Sequence, residues 1–133
     1  MERSFAPTLA PLPPTRKAAA RAALIDLKDN QRTTLAECFK QFGIDVVTMN
    51  GNVADRIQRE KFEACVVRLT KEAENVMHSA RTSPSNSRMI IYGVGGSVHD
   101  ALRFSKYGIN AVFNEPLERP AALKLVRATQ MLV

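Results

Sequence analysis

Between residues 20 and 133, five short apolar segments alternate with five segments of helical periodicity, and this alternation restricts the fold more than any other feature of the sequence. Short, almost continuously apolar segments are typical of strands that are buried on both faces of a parallel sheet. Strands that alternate with helices form such a sheet with helices packed on both sides. The sequence therefore predicts a doubly wound α/β domain with strands at residues 22–27, 44–49, 62–69, 88–93 and 110–114.

The segments between these strands have the spacing of amphipathic helices. In the first of them, Leu35, Phe39 and Phe42 recur at helical intervals, with Asn30 as the predicted N-cap and Gly43 as the predicted end. The other four helices are predicted at residues 53–61, 70–80, 97–107 and 117–132.

The N-terminal segment differs from the rest of the chain in composition. Residues 1–19 contain four prolines and little periodic apolar content. Such a segment cannot bury enough apolar surface to offset the entropy lost on ordering, so a flexible arm is predicted. Residues 20–133 are then expected to form a single domain, since a chain of 133 residues with 45% hydrophobic content can build one core.

The net charge of +6 is not distributed in a way that indicates nucleic-acid binding. Half of the excess lies in residues 1–21, and the remainder is spread along the chain without a basic stripe. Aromatic residues make up 6% of the chain and tryptophan is absent, so few side chains are available to stack on bases. No direct contact with nucleic acid is predicted.

Motifs for membranes, metals and redox chemistry are missing from the sequence. No segment approaches the ~20 apolar residues that span a bilayer, and the N-terminus lacks the order of a secretory signal. Cys38 and Cys65 lie singly within apolar segments, and neither His78 nor His99 has partners at metal-ligand spacing. We therefore predict a cytoplasmic protein without a membrane partner, metal or other cofactor.

Three segments carry features of a known family. They are ALIDLKD at 23–29, FEACVVR at 62–68, and the stretch 89–116 with a strand, a glycine-rich turn, a helix and the sequence AVFNEP. Together they resemble the receiver domain of bacterial response regulators over about residues 20–133. The resemblance implies a flavodoxin-like fold with strand order 2-1-3-4-5, in which ligands bind outside the carboxyl ends of the strands.

The resemblance also implies where the phosphorylation pocket of a receiver would lie. Its positions are an acidic pair that holds magnesium, a phosphoacceptor aspartate, a switch residue with a hydroxyl group, and a lysine followed by proline. In this chain they fall on Asp26, Leu27, Arg68, Gly93, Glu115 and Pro116. Of the five positions that precede the proline, only Asp26 keeps a suitable side chain, and the connection after the third strand is shortened. We therefore expect a non-catalytic pseudo-receiver.

Two of these departures exchange the signs of a charged pair. A receiver has a negative aspartate and a positive lysine across its pocket, whereas this chain has Arg68 and Glu115. We predict an ion pair of Arg68 with either Glu115 or Asp26 that closes the pocket. The alternative is that Arg68 extends its guanidinium into solvent. Residual phosphoryl transfer by Asp26 or Asp29 is not expected, because no second acid, lysine or hydroxyl group supports it.

The glycine-rich turn supports a rival interpretation as a small-ligand site. A turn from a strand into a helix can bind phosphate through backbone N–H groups, and Gly93, Gly95, Gly96 and Ser97 lie in such a place. The sequence lacks the lysine of a P-loop and the full glycine pattern of a dinucleotide fold. A nucleotide or phosphorylated metabolite is the ligand expected under this alternative. The simpler interpretation is that the glycines permit a tight turn.

Receivers pass signals through the face of their fourth helix, fifth strand and fifth helix, often as twofold dimers. The resemblance therefore implies that this chain acts through a protein partner, with a homodimer as the expected form. The candidate interface residues are Arg103, Lys106, Tyr107, Leu117, Lys124, Arg127 and Met131.

A further resemblance concerns what the domain is joined to. The segments FEACVVR, SARTSPSN, NEP and RATQMLV together resemble the N-terminal region of bacterial proteins that join a degenerate receiver to a PilZ domain, which binds cyclic di-GMP. The apolar ending MLV agrees with a chain that continues into, or packs against, another domain. We therefore expect a fragment whose partner is another protein or its own downstream domain.

Overall fold

The computed structural model describes residues 20–133. Its parallel strands are β1 (Arg21–Ile25), β2 (Asp45–Met49), β3 (Ala64–Arg68), β4 (Ile90–Val94) and β5 (Ala111–Phe113). Its helices are α1 (Asp29–Gln41), α2 (Val53–Arg59), α3 (Ala73–Thr82), α4 (Val98–Phe104) and α5 (Arg119–Leu132), with a 3₁₀ turn (Ser105–Tyr107) after α4. The strands lie in the order β2-β1-β3-β4-β5, which confirms the predicted sheet and its order 2-1-3-4-5. The predicted arm at residues 1–19 lies outside the described residues.

The central strands are buried because helices cover both faces of the sheet. In β1, Ala22 and Leu24 belong to one apolar cluster and Ala23 and Ile25 to the other, because successive side chains alternate between faces. The first cluster contains Leu35 and Phe39 of α1 with Leu125 and Val126 of α5. The second contains Ile57 of α2, Met77 of α3 and Phe104 of α4.

Helix α1 begins differently from the sequence prediction. It starts at Asp29, with Lys28 in extended conformation as the N-cap, so the assignment of Asn30 as the cap was wrong. Asn30 lies inside the first turn, where its Oδ1 accepts the N–H of Gln31 at 2.9 Å. The end of the helix is as predicted, since Gly43 takes a left-handed φ of +75° directly after the C-cap.

Helices α3 and α5 start later than predicted, at Ala73 and Arg119. Before α3, the N–H of Thr70 donates to the Arg68 carbonyl at 2.8 Å, and the Thr70 hydroxyl accepts the N–H of Glu72 at 3.3 Å. Before α5, Leu117 is buried in the core and Glu118 is the extended N-cap. These two segments follow β3 and β5, so they lie at the carboxyl edge of the sheet.

The strand register brings the ends of β3, β4 and β5 together at that edge. Arg68 is opposite Val94, and Val94 is opposite Phe113. Beyond the strands, the N–H of Leu69 donates to the Val94 carbonyl at 2.9 Å, and the N–H of Gly95 donates to the Phe113 carbonyl at 2.8 Å. The segments that follow the three strands are therefore neighbours.

The described helices and acidic, cysteine and histidine side chains bear on membrane and metal sites. Within residues 20–133, none of the helices has the length and apolar content needed to cross a membrane. The same residues contain no group of three or more His, Cys, Asp or Glu side chains arranged to hold a metal ion. Cys38 and Cys65 are buried and unpaired, and burial raises the pKa of the Cys65 thiol to about 12.

Candidate functional site at the carboxyl edge of the sheet

An ion pair joins the ends of β3 and β5. Arg68 is the last residue of β3, and Glu115 follows β5 by two positions, next to the cis bond to Pro116. The Arg68 Nε lies 3.2 Å from the Glu115 Oε2, with the two side chains 35% and 21% exposed. The predicted ion pair between Arg68 and Glu115 is therefore present, and Arg68 does not extend freely into solvent.

Gln31 completes this cluster from the first turn of α1. Its side-chain Nε2 donates to the same Glu115 Oε2 at 3.0 Å, and the residue is 1% exposed. Its Oε1 is buried without a hydrogen-bond partner in residues 20–133. The opposite amide orientation would bring Oε1 against the Glu115 carboxylate, so the contact with Glu115 fixes the orientation. We call Arg68, Glu115 and Gln31 the edge cluster.

The environment of Glu115 favours its charged form. Burial raises the pKa of this carboxyl, but the hydrogen bond from Gln31 and the charges of Arg68 and Lys28 lower it by more. The net pKa of Glu115 lies below its ordinary value. Glu115 is therefore a carboxylate at neutral pH and neutralises the guanidinium beside it.

Asp26 and Leu27 take no part in the edge cluster. Leu27 is 7% exposed and belongs to the core beneath α1 and α5. Asp26 adopts a left-handed φ of 57° and lines a separate recess of about 350 Å³ with residues that include Asn52, Asp55 and Glu72. Within residues 20–133, Asp26 forms no salt bridge with Arg68, so the second predicted pairing is wrong.

Side chains already fill the space over the glycine-rich turn. A Cβ on Gly93 would lie 3.0 Å from a Leu69 methyl group, and one on Gly96 would lie 3.1 Å from the Leu69 Cβ. A Cβ on Gly95, whose φ is +80°, would lie 2.7 Å from the Glu115 Oε1. The left-handed φ values of Gly95 (+80°) and Gly96 (+76°) favour glycine at both positions, and Leu69 and Glu115 leave little space for a side chain over the turn.

The start of α4 is also occupied by an acidic group. The Ser97 N–H donates to the Asp100 Oδ2 at 3.0 Å, and the Asp100 N–H donates to the Ser97 Oγ at 3.2 Å, forming a capping box. Because Glu115 and Asp100 both lie against the turn, their charges oppose the binding of phosphate. The geometry of Gly93, Gly95, Gly96 and Ser97 does not favour the alternative small-ligand interpretation.

The predicted interface residues divide into separate groups. Arg103, Lys106 and Tyr107 all contact Glu74 of α3, at 3.0 Å, 3.4 Å and 2.9 Å. Hydrogen bonds from the Tyr107 hydroxyl and from the two cations lower the pKa of Glu74, and the same contact raises the pKa of Tyr107. The side chains of Arg103, Lys106 and Tyr107 therefore connect α3 to α4 and to the 3₁₀ turn that follows it.

The remaining interface candidates lie on or near α5. Leu117 is 4% exposed and packs in the core, so its assignment to an interface was wrong. Lys124, Arg127 and Met131 are exposed on the outer side of α5. The homodimer itself stays a prediction.

Sequence reasoning missed three residues that shape these sites. Gln31 had a usable signal, because it precedes Leu35 by four positions and so shares the inward face of α1. Leu69 and Glu74 had none, since their roles depend on contacts with the turn after β4 and with α4.

Comparison with known proteins identifies the fold through structure. No protein-family model matches the sequence, and no curated protein sequence matches it. Among solved structures, the signal receiver domain of a putative LuxO repressor protein from Vibrio parahaemolyticus has a TM-score of 0.71 at 16% identity, covering 86% of this chain and 92% of that one. The chemotaxis response regulator CheY4 of Vibrio cholerae has a TM-score of 0.70 at 14% identity, covering 84% of this chain and 99% of that one.

A third similar structure was solved with a bound magnesium ion. The receiver domain of a sensor histidine kinase from Pseudomonas aeruginosa, solved with magnesium coordinated in its active-site cleft, has a TM-score of 0.68 at 12% identity. That match covers 86% of this chain and 99% of the other. Residues 20–133 therefore have the flavodoxin-like fold of the receiver domains found in signalling proteins.

Proposed function

We propose that this domain is a pseudo-receiver that regulates through protein contacts and neither binds magnesium nor accepts a phosphoryl group. The observation that carries the proposal is the edge cluster, in which Arg68 pairs with Glu115 at 3.2 Å. It lies at the carboxyl ends of the strands, where a doubly wound sheet binds its ligands. The sequence resemblance places the phosphoacceptor and the lysine of a receiver at these two positions.

The charges of the edge cluster oppose both steps of receiver chemistry. A guanidinium has no lone pair for a metal ion and no nucleophilic oxygen, and its positive charge repels Mg²⁺. The Glu115 carboxylate repels the negative oxygens of a phosphoryl group, which a receiver lysine would attract. Phosphoryl transfer depends almost entirely on positioning and electrostatic stabilisation, so this arrangement removes what the reaction needs.

The packing of Leu69 supports the same proposal. Its side chain fills the space that a side chain at Gly93 would occupy, at 3.0–3.1 Å from the ideal Cβ position. A receiver needs a hydroxyl-bearing switch residue there according to the resemblance. The pocket is thus closed by an apolar side chain on one side and by an ion pair on the other.

Titration with Mg²⁺ and then with beryllofluoride, followed by amide NMR, tests the proposal. We expect no saturable shifts at Asp26, Arg68 or the turn after β4. A working receiver measured in parallel supplies the positive control. A saturable response of the amides around Arg68 would overturn the proposed function.

For the output, we propose contact with a PilZ domain of the same protein or of a partner. The support is the resemblance of FEACVVR, SARTSPSN and RATQMLV to proteins that join these two domains. The arginine-rich motif that binds cyclic di-GMP is not present in the 133 residues. Isothermal titration of this chain with cyclic di-GMP is therefore expected to show no binding. Saturable binding would contradict the proposal that the cyclic di-GMP site lies in a separate PilZ domain.

A further inference from the structure

The amino edge of the sheet, at the opposite end from the edge cluster, has two adjoining recesses. The first has a volume of about 390 Å³, and its lining includes Ala20, Phe42, Ile44, Glu63 and Val133. The second has a volume of about 370 Å³, and its lining includes Glu63, Arg88, Met89, Asn110, Leu132 and Val133. Because Glu63 and Val133 line both recesses, the two adjoin, and we call them together the amino-edge surface.

The amino-edge surface extends across the whole width of the sheet. It contains the residue that directly precedes each strand, and in chain order these are Ala20, Ile44, Glu63, Met89 and Asn110. Helix α5 ends here as well, at Leu132. A segment that lies along this surface therefore contacts the starts of several strands and the end of α5.

The amino-edge surface exposes apolar side chains beside a positioned negative charge. Leu132 is 63% exposed, Val133 is 47% exposed and Phe42 is half-buried. The Glu63 Oε1 accepts the N–H of Arg21 at 2.8 Å, which holds the carboxylate at the start of β1. Exposed apolar area around a fixed charge is suited to a contact with another polypeptide segment.

We propose that residues 1–19 of the same chain dock on the amino-edge surface, a contact that goes beyond the proposed function and does not depend on it. Ala20 lines the first recess, so this N-terminal segment joins the described domain at the surface itself. In a polyproline II conformation the eight steps from Ala20 to Leu12 span about 25 Å, close to the diameter of a small domain. The segment is therefore long enough to cross the first recess and occupy the second.

The sequence of the N-terminal segment fits an extended conformation. Residues 4–15 contain all four of its prolines, which favour polyproline II and lower the entropy lost on binding. This conformation has about three residues per turn, so Leu9, Leu12 and Ala18 share one side of it. A segment that cannot bury apolar area by itself buries it when these side chains contact the amino-edge surface.

The order of charges along the segment matches the order along the surface. Docking brings Arg16 and Lys17 towards the Glu63 carboxylate of the first recess. The second recess is lined by a lysine and an arginine, and it receives residues without charge, because the segment has none between Arg3 and Arg16. The match favours a segment that runs from the first recess into the second.

Paramagnetic NMR on the full 133-residue chain tests the contact. A nitroxide spin label is attached to Thr8→Cys, beside Leu9 of the apolar side. Cys38 and Cys65 are buried, so the label attaches at the introduced thiol alone. We expect loss of most of the amide signal in the second recess, recovery of that signal when the label is reduced, and little loss at the edge cluster.

Two variants of the N-terminal segment, made in the spin-labelled chain, test its apolar side. Leu9→Ser/Leu12→Ser removes the two leucines that face the surface and is expected to restore most of the lost signal. Phe5→Ser/Ala10→Ser removes apolar side chains from the other sides of the same conformation and is expected to leave the loss in place.

Two further variants test the surface. Leu132→Glu introduces a charge into the second recess and is expected to release the segment and restore the signal. Met131→Glu makes a similar change at a residue that is 86% exposed and lines neither recess, so the loss of signal should persist. Thermal unfolding confirms that all the variants fold.

Several results would overturn the proposal. They are no loss of signal on the amino-edge surface, loss confined to other parts of the domain, or equal effects within either pair of variants. A mixture of ¹⁵N-labelled chain without a spin label and spin-labelled chain without ¹⁵N detects docking between two copies. Signal loss in that mixture as large as in the single labelled chain would assign the surface to the segment of a second copy and overturn docking within one chain. None of these results involves the edge cluster, so they leave the magnesium and beryllofluoride test unaffected.

Discussion

The carboxyl edge of the sheet and the outer side of α5 both carry arginine, but they use its charge differently. At the edge, Arg68 is 35% exposed and pairs with Glu115, which also accepts a hydrogen bond from the buried Gln31. On α5, Arg127 and Lys124 are exposed and form no salt bridge within residues 20–133. The carboxyl edge, where a doubly wound sheet binds its ligands, is thus internally neutralised, whereas the two cations on α5 are not neutralised by a described carboxylate.

This difference predicts that charge-reversing substitutions affect the stability of the domain differently in the two regions. Changes at the edge should alter stability, because they leave partly buried groups without partners. Changes on the outer side of α5 should leave stability nearly constant.

The largest expected effect is that of Glu115→Lys. The new ammonium repels Arg68, and Gln31 loses the acceptor for its Nε2, so the free energy of unfolding should fall by about 2 kcal/mol. Urea denaturation measures this change. Asp45→Lys, at an exposed position of the edge strand β2, makes the same change in net charge and should cost much less.

A paired variant sharpens the result. Arg68→Glu/Glu115→Lys restores opposite signs across the edge and should recover part of the stability lost in Glu115→Lys. If Glu115→Lys is as stable as the unmodified chain, the ion pair does not hold β3 and β5 together.

Gln31→Glu should have the next largest effect. It places a second carboxylate beside Glu115 in a buried position, so the free energy of unfolding at pH 7 should fall by about 1–2 kcal/mol. Part of this loss should be regained near pH 4, where one carboxyl of the pair is protonated. Gln31→Met keeps the volume without the charge and should lack the pH dependence.

The pH dependence of stability gives a smaller effect. The pKa of Glu115 lies below its ordinary value in the folded chain, so its charged form is favoured by folding. Its contribution, about 1 kcal/mol or less, should be present above the unfolded value of about 4.3 and be lost as pH falls through the folded pKa. The difference in unfolding free energy between the unmodified chain and Glu115→Gln isolates this contribution from the other carboxyls. A difference that grows as the pH falls would contradict the sign.

The smallest effect on stability is expected on α5. Lys124→Glu/Arg127→Glu should change the free energy of unfolding by less than about 0.5 kcal/mol, because both side chains are exposed and unpaired in the described domain. Thermal and urea unfolding measure this value. A loss comparable with that of Glu115→Lys would remove the distinction between the two regions.

Apolar alternation was sufficient to predict the parallel sheet, because it is a local property of the sequence. The strand order and the pairing of Arg68 with Glu115 or Asp26 were predicted from the resemblance to receiver domains. The sequence was insufficient for the starts of α1, α3 and α5, where turns and caps depend on a few hydrogen bonds. Asn30 illustrates this, since it has the chemistry of a cap but lies inside the first turn.

The features of the candidate site that the sequence did not predict also depend on contacts made only in the folded structure. Asp26 lies directly after β1, although the first strand was predicted to extend to residue 27. Its backbone is left-handed, and it lines a different recess from the site of Arg68. Leu69 and Gln31 reach the site from a loop and a helix, and only the packed structure brings them to Gly93 and Glu115. Leu117 looked like a surface residue of α5 but precedes the helix and fills the core.

The most direct test of the pseudo-receiver proposal is a crystal structure grown with Mg²⁺ and beryllofluoride. We expect the Arg68 guanidinium to remain against the Glu115 carboxylate, with no ion at the carboxyl ends of β1 and β3. A magnesium ion coordinated beside Asp26, with Arg68 displaced from Glu115, would contradict the proposal.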